Sequence, residues 1–416
     1  MTWLQRYRIR SFVRNSVWFL PLLGLVAALL LNPLVHRLDA ALGWKASVDV
    51  DSARAVLGSL TSSLLTFIVF VFSILLVAVQ LASAQLSPRI IATVYRSPVL
   101  RLSLTLFVFA FTFSLAALAR IGDAVPQVAV WIAVGSSVAS IAAFLYMLDR
   151  VGKSLRPVII LTRVGKLGQE VIEDVYPRFV GDEAQSAQTP ALPGTPARVV
   201  AAHRNGVILA FDIDGLVQLA RRADGIIQFV PQVGDFIAGG DPLFRVYGGA
   251  GALDDGTLRH SVAIGAERTL EQDPAFGFRI IVDVAAKALS PAINDPTTGV
   301  LALDQIHRLL RSVGRRQLDT GFAHDEGGRL RLVYRTPDWE DFVGLAVTEI
   351  RQFGGTSIQI VRRMRAMLEN LIEVLPRQRA TQLRVELDIL NRSVERDFPD
   401  LEDRKRAAAG DSLGVG

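Results

Sequence analysis

Hydrophobic residues are distributed along this chain in two regimes, unbroken in the first third and periodic after it. Four apolar runs fill the N-terminal part: Val17–Val35, Leu57–Leu81, Leu102–Ala119 and Val125–Met147. Each approaches the roughly 20 residues that cross a hydrocarbon core about 30 Å thick. None contains Asp, Glu, Lys, Arg or His. Backbone groups in lipid must be satisfied within the segment, so the pattern predicts four transmembrane helices over 17–150. The first run is preceded by Arg6, Arg8, Arg10 and Arg14, within a basic segment covering 1–16. It exceeds the length of a cleavable signal's apolar core, which favours a retained signal-anchor.

Basic residues in the short loops set the orientation. The N-terminus carries four arginines and no acid, and the second loop has Arg89, Arg96 and Arg101 with no acid. Arg150, Lys153 and Arg156 follow the fourth run. The alternation predicts the N-terminus and everything from about residue 150 onward in the cytoplasm. Pro88 ends or kinks the second span, and Arg89, Arg96 and Arg101 read as a lipid-interface anchor. Their sharper reading is an anionic-lipid contact or a basic vestibule.

The second span alone carries a polar stripe. Ser59, Thr66, Ser73 and Gln80 recur every seven residues, which aligns them on one helix face. They read as pore-lining candidates in a homo-oligomer, or as hydrogen-bonding glue inside a bundle. The stripe has no ionisable group, so a proton relay or ion-coupled pump is disfavoured.

Beyond residue 150 the pattern becomes periodic. A connecting helix over Arg163–Val180 and a Pro/Ala/Gln-rich linker ending at Pro196 occupy 151–196. A small β subdomain follows over 197–250, with strands at Val207–Asp214, Ile226–Val230 and Pro242–Val246. Its run VPQVGDFIAGGDPLFRV resembles the barrel-sandwich fold of biotinyl and lipoyl domains. No lysine lies between Lys166 and Lys287, so the resemblance implies an adaptor and not a prosthetic-group carrier. Gly248–Ala252 reads as a flexible connector. Over 251–335 the pattern predicts helices at Leu258–Glu271, Phe276–Leu289 and Thr297–Val313, then a strand at Leu330–Tyr334. A helical bundle occupies 336–403, with helices at Asp338–Phe353, Ile358–Leu375 and Arg379–Arg396, and a polar, disordered tail fills 404–416. The fold class is thus a four-span α-helical membrane domain joined to a cytoplasmic α+β domain.

Two prolines bracket Asn294 and Asp295 in Ser290-Pro-Ala-Ile-Asn-Asp-Pro296, which forbids a helix interior there. Asp295 suits a helix N-cap and Pro296 the first helical position. Arg279 and Asp283 are four apart and can pair on one face. Arg279, Asp283, Ser290, Asn294 and Asp295 are therefore corner candidates. They read either as a ligand site or as a structural bend, and a helix N-terminus there disfavours a cation.

The segments QLASAQLSPR and AKALSPAINDPTTGVLALDQI resemble a large family of predicted bacterial membrane proteins with no assigned function. The resemblance implies four N-terminal spans and a cytosolic C-terminal region, without an activity.

Composition narrows the remaining classes. The chain has 416 residues, 50% hydrophobic and 20% charged, with a mean hydropathy of +0.35. It has no cysteine, which excludes thiol catalysis and Cys-ligated metals. The five histidines show no ligand spacing, and no phosphate-binding glycine motif or catalytic triad stands out. No cofactor or metal is expected. The formal charge of +5 is largely spent on membrane orientation, so nucleic acid is not an expected partner. The leading expectation is a passive channel with a cytoplasmic regulatory domain. The alternative is a non-conducting sensor or scaffold whose cytoplasmic domain binds a partner or ligand. An enzyme using Asp283, Asn294 and Asp295 ranks last.

Overall fold

The computed structural model describes the chain except residues 1, 43–48, 86–97, 123–124, 155, 182–191, 193, 319–320 and 413–416. The helix end at Pro88, Arg89 and Arg96, and most of the 182–196 linker, lie outside the described residues. The chain divides into two compact units, one of residues 9–159 and one of residues 1–8 with 160–416.

The first unit is built from four long helices, α2 (Phe19–Leu42), α3 (Val50–Gln85), α4 (Pro98–Leu118) and α5 (Gln127–Ser154), preceded by α1 (Trp3–Asn15). All four are long and apolar enough to cross a membrane. Helix α4 packs against the other three and buries Leu100, Leu104, Phe107, Ala110, Phe113 and Ala117. That spacing of three and four is one continuous helix face. One apolar cluster joins Ala28 and Val35 of α2, Leu57 of α3, Phe113 of α4 and Ala133 of α5. A second joins Val71, Leu75, Leu104, Phe107 and Met147. Close approach occurs at Gly24, where an added Cβ would stand 2.8 Å from the Thr105 carbonyl.

In the second unit a five-stranded sheet runs in the order β1-β5-β3-β8-β7 and a three-stranded one in the order β4-β2-β6. The strands are β1 (Arg198–Ala201), β2 (Gly206–Phe211), β3 (Gly225–Gln232), β4 (Phe236–Ile237), β5 (Pro242–Gly248), β6 (Val262–Gly265), β7 (Phe322–His324) and β8 (Leu330–Arg335). Among the described residues β3 and β8 pair in parallel and the other strand pairs are antiparallel. Both sheets share one core, including Val200, Ile208, Ile227, Phe229, Leu243, Phe244, Val262 and Leu332.

Helices make the rest of this unit: α6 (Pro157–Val175), α7 (Ile213–Arg222), α8 (Asp255–Arg259), α9 (Pro274–Ala288), α10 (Pro296–Gly314), α11 (Trp339–Gly354), α12 (Ile358–Val374), α13 (Arg377–Asp397) and α14 (Leu401–Ala407). Helix α9 packs on α10 and α11, α10 also on α12, and α12 on α13. Tyr176, Phe278 and Phe342 interlock with ring centroids 5.3–6.1 Å apart.

Several expected elements differ. The connecting helix lies at Pro157–Val175, ending two residues before Pro177, whose ring cannot continue it. The strand expected to reach Asp214 stops at Phe211. Asp212 there accepts the Gly215 N–H at 3.0 Å and caps α7. Leu216 and Ala220, four apart, face the core. The single helix expected over Leu258–Glu271 is instead the short α8 followed by strand β6. Pairing of Val262–Gly265 with β2 overrides the local pattern. Gly248–Ala252 is no loose connector: Gly249–Ala252 forms a 3-10 turn with Ala250 buried. The expected disordered tail contains the end of α14, and Arg362 donates to the Ala409 carbonyl at 3.2 Å.

Candidate functional site

Helix α3 buries Ala53, Leu57, Leu64, Val71, Leu75 and Val79, a seam recurring at about half-heptad steps. Ser59, Thr66 and Ser73 stand two residues along from this seam and Gln80 one, and all four are exposed. Around them the outer face is apolar, with Leu65, Val69, Phe72 and Leu76 each more than half exposed. The Thr66 hydroxyl donates to the Ser62 carbonyl at 3.1 Å and the Ser73 hydroxyl to the Val69 carbonyl at 3.0 Å. Such back-bonding satisfies the hydroxyl proton within the helix and leaves the oxygen lone pairs facing outward. A Gln amide has no equivalent within its own helix, which makes Gln80 the costliest member of the stripe to leave in lipid.

Arg101, expected at the lipid interface, is buried on α4 with only 8% of its surface exposed. Its position at the fourth residue of α4 places it on the same face as Leu104. The phenylalanines of α4 separate by face, Phe107 and Phe113 being fully buried.

Polar ties within this unit concentrate near the α4–α5 turn. Asp39 accepts the Val128 and Ala129 N–H groups at 2.9 and 3.3 Å, capping the start of α5. Arg120 donates to the Asn32 side-chain oxygen, and Asn32 is buried within α2. Asn32, Asp39 and Arg120 were not among the site residues expected from the sequence. Their signal was present, since Asn32 was the one amide inside the first run.

The corner in the second unit is built from its caps. Asp295 accepts the Thr298 N–H at 3.1 Å and the Thr298 hydroxyl at 2.6 Å. Pro296 occupies the first turn of α10. The chain reverses through Asn294, at φ +49°, a left-handed conformation that Asn tolerates better than most residues. The Asp295 N–H donates to the Ala288 carbonyl at 2.8 Å, and the Ser290 hydroxyl to the Lys287 carbonyl at 2.7 Å. These bonds close the end of α9 onto the start of α10.

Arg279 sits elsewhere on α9. It donates to Asp283 at 2.7 Å and across to Glu349 of α11 at 2.7 Å. Hydrogen bonds donated to Glu349, opposed by burial and helped by Asp283, raise its pKa above the ordinary guanidinium range. The Asp283 carboxylate is therefore engaged by Arg279, and the Asp295 carboxylate by Thr298. Asp273 begins α9 in the same way, accepting the Phe276 N–H at 3.0 Å and Arg268 at 2.8 Å. Burial raises the Asp273 pKa despite the Arg268 charge. No group of three or more His, Cys, Asp or Glu among the described residues is arranged to hold a metal ion.

Residues 14–370 match the family described as "Predicted membrane protein (DUF2254)", a stretch that runs from α1 into α12. The chain belongs to this family. The DUF2254 chain is also similar to an uncharacterized protein of Mycobacterium bovis and one of Mycobacterium tuberculosis strain H37Rv. Each is 26% identical over 426 residues, covering 96% of this chain and 80% of the relative. No solved structure matches this DUF2254 protein. Its four spans and its mixed α/β C-terminal region thus stand with a family of membrane proteins whose relatives name no activity.

Proposed function

We propose that this protein is a passive, oligomeric channel or transport component of a bacterial inner membrane, with α3 lining the path. The exposed stripe of Ser59, Thr66, Ser73 and Gln80 on an otherwise apolar outer face carries this reading. From Ser59 to Gln80 the helix rises about 32 Å, close to the roughly 30 Å of a hydrocarbon core. A stripe of that length offers a polar surface across the whole membrane once copies of α3 gather about an axis. Outward lone pairs on Thr66 and Ser73 favour water or cations over anions.

Placement with both ends in the cytoplasm rests on the arginine-rich loops and on one packing contact. Leu4 packs against Ala210 and Ala263, a contact that supports putting the N-terminal residues and the C-terminal unit on the same side. An even number of spans requires the same. The C-terminal unit then serves as a cytoplasmic regulatory domain.

The chain's lack of cysteine makes the test direct. Ser59→Cys, Thr66→Cys, Ser73→Cys and Gln80→Cys are each exposed to a membrane-impermeant, charged thiol reagent in proteoliposomes. Leu65→Cys and Phe72→Cys, on the flanking apolar face, serve as controls. Modification of the four stripe positions with the two controls spared supports the reading. Equal modification of all six, or of none, contradicts it.

A further inference from the structure

The N-terminal residues do more than precede the first span. Leu4 is 9% exposed against Ala210 and Ala263, with Trp3, Tyr7 and Leu209 packed around the contact. Trp3 and Tyr7 stack with centroids 5.3 Å apart. Residues Thr2–Arg8 form one wall of a cleft of about 370 Å³ whose other walls are the β1–β2 loop and α8. That volume is within the range of small-ligand sites, about 300–1,000 Å³.

Its chemistry is one-sided. Arg8, His203, Arg204, Arg259 and His260 line the cleft, and among the described residues no carboxylate does. Arg259 is partly neutralised by Asp255 at 3.3 Å, and its Nε donates to the Ala201 carbonyl at 3.0 Å. Arg204 has no acidic partner among the described residues. One nitrogen donates to the Ile264 carbonyl at 2.7 Å, and its Nε is buried with no acceptor. A guanidinium carries five N–H donors and no acceptor, so most of its hydrogen-bonding capacity is unspent. Arg8 makes no ion pair among the described residues. The His260 Nδ1 lies 2.6 Å from the Gly256 carbonyl, which fixes Nδ1 as the donor and leaves Nε2 free.

A concentration of like charge with an orphaned buried donor costs stability when empty. The local field is visible at His203. Burial first, then Arg204, Arg259, His260 and Arg8, push its imidazole below the ordinary value. An anion placed among these groups relieves the repulsion and supplies the missing acceptors.

We propose that this cleft binds a phosphomonoester, with Arg8, Arg204 and Arg259 donating charge-assisted hydrogen bonds to the phosphate and the imidazoles closing its rim. A dianionic phosphate offers the acceptor oxygens that several guanidinium groups can share, and such bonds are about twice as strong as neutral ones. Leu4 and Val262 supply a small apolar wall, suited to the carbon part of the ester. The site draws on residues over 250 positions apart and does not depend on the conduction reading. Its occupancy ties the N-terminal segment to the C-terminal unit.

The same phosphomonoester chemistry occurs in a soluble metabolite or in a lipid headgroup, and two probes separate them. The full chain in zwitterionic detergent at low salt is titrated calorimetrically with glycerol 3-phosphate and with dihexanoyl phosphatidic acid. Saturable binding of both assigns a soluble ester, and binding of the phosphatidic acid alone assigns a lipid headgroup. Arg8→Gln removes an exposed charge that makes no ion pair among the described residues. It weakens binding at least tenfold without lowering the thermal midpoint of the unliganded protein. Arg204→Gln does the same or more, and Arg204→Lys recovers part of the loss. Failure of both probes to bind overturns the proposal. So does unchanged affinity in Arg8→Gln and Arg204→Gln.

Discussion

Arg279 on α9 donates to Glu349 on α11 at 2.7 Å while also holding Asp283 one turn along its own helix. The two contacts fix the angle at which α9 crosses α11, with Phe278 packed at a tilt against Phe342 beside them. The Arg279 side chain is 24% exposed, so its pairing is only partly screened.

Removing it therefore costs more than a surface ion pair. Arg279→Ala should destabilise the C-terminal unit by about 1–2 kcal/mol, between the value of an exposed pair and a fully buried one. A double-mutant cycle with Glu349→Ala, read by thermal unfolding in detergent, should return a coupling of about 1 kcal/mol. A coupling near zero would mean that the geometry is held by the apolar packing alone.

The corner at Asp295 makes a different kind of prediction, because its role is that of a cap. Asp295→Ala should cost about 1 kcal/mol, and Asp295→Asn should recover most of it, since Asn caps nearly as well. Hydrogen exchange in the first turn of α10 is the readout. Faster exchange in the alanine variant and near-native exchange in the asparagine variant are expected. If both variants lose activity in a transport assay with α10 still protected, Asp295 has a ligand-binding role instead.

Alkaline titration probes the core. Burial raises the Tyr176 pKa above its ordinary value of 10, partly offset by a hydrogen bond with Thr336, and burial raises Tyr334 as well. A phenol whose folded pKa exceeds its unfolded one stabilises the fold below about pH 10. That contribution disappears as the pH rises towards the folded value. Absorbance at 295 nm should show these two tyrosines ionising only as the C-terminal unit unfolds. Smooth ionisation of all tyrosines near pH 10 in the folded protein would contradict the packing.

In the membrane unit, Gly24 marks a close approach between α2 and α4. A Cβ there would meet both the Thr105 carbonyl and its methyl at 2.8 Å. Gly24→Leu should separate the helices and lower the thermal midpoint, at about 1–3 kcal/mol. Gly135→Leu on α5, where an added Cβ meets nothing within 4 Å, should be nearly silent. A reversed order would place the close contact elsewhere.

Hydropathy made the four spans legible because lipid admits so few backbone conformations. The helices α9 to α13 were legible for a related reason, since Val343, Val347 and Ile350, or Met364, Leu368 and Leu371, mark one buried face. The sheet was less so. Val262-Ala-Ile-Gly265 is apolar at every residue but the last, and a run that short fits a helix or a strand until β2 pairs with it. Ile213–Arg222 hid behind Gly215, whose N–H is the group that Asp212 caps.

The parallel pairing of β3 with β8 joins residues a hundred positions apart, which no local pattern announces. The corner caps were readable from Asp295-Pro296, whereas the partner of Arg279 was not. Glu349 lies 70 residues on. The cationic cleft was invisible for the same reason, as Arg8, Arg204 and Arg259 meet only through the fold. Arg8 counted in the sequence as one more orienting charge.

The central claim is that α3 presents its polar stripe to other copies of the chain about a common axis. Single-particle imaging of the purified protein in a lipid nanodisc, at side-chain resolution, tests it most directly. The account predicts a symmetric ring in which Ser59, Thr66, Ser73 and Gln80 face a continuous central path. A monomer or dimer with those four side chains turned to lipid, and no path along them, would contradict it.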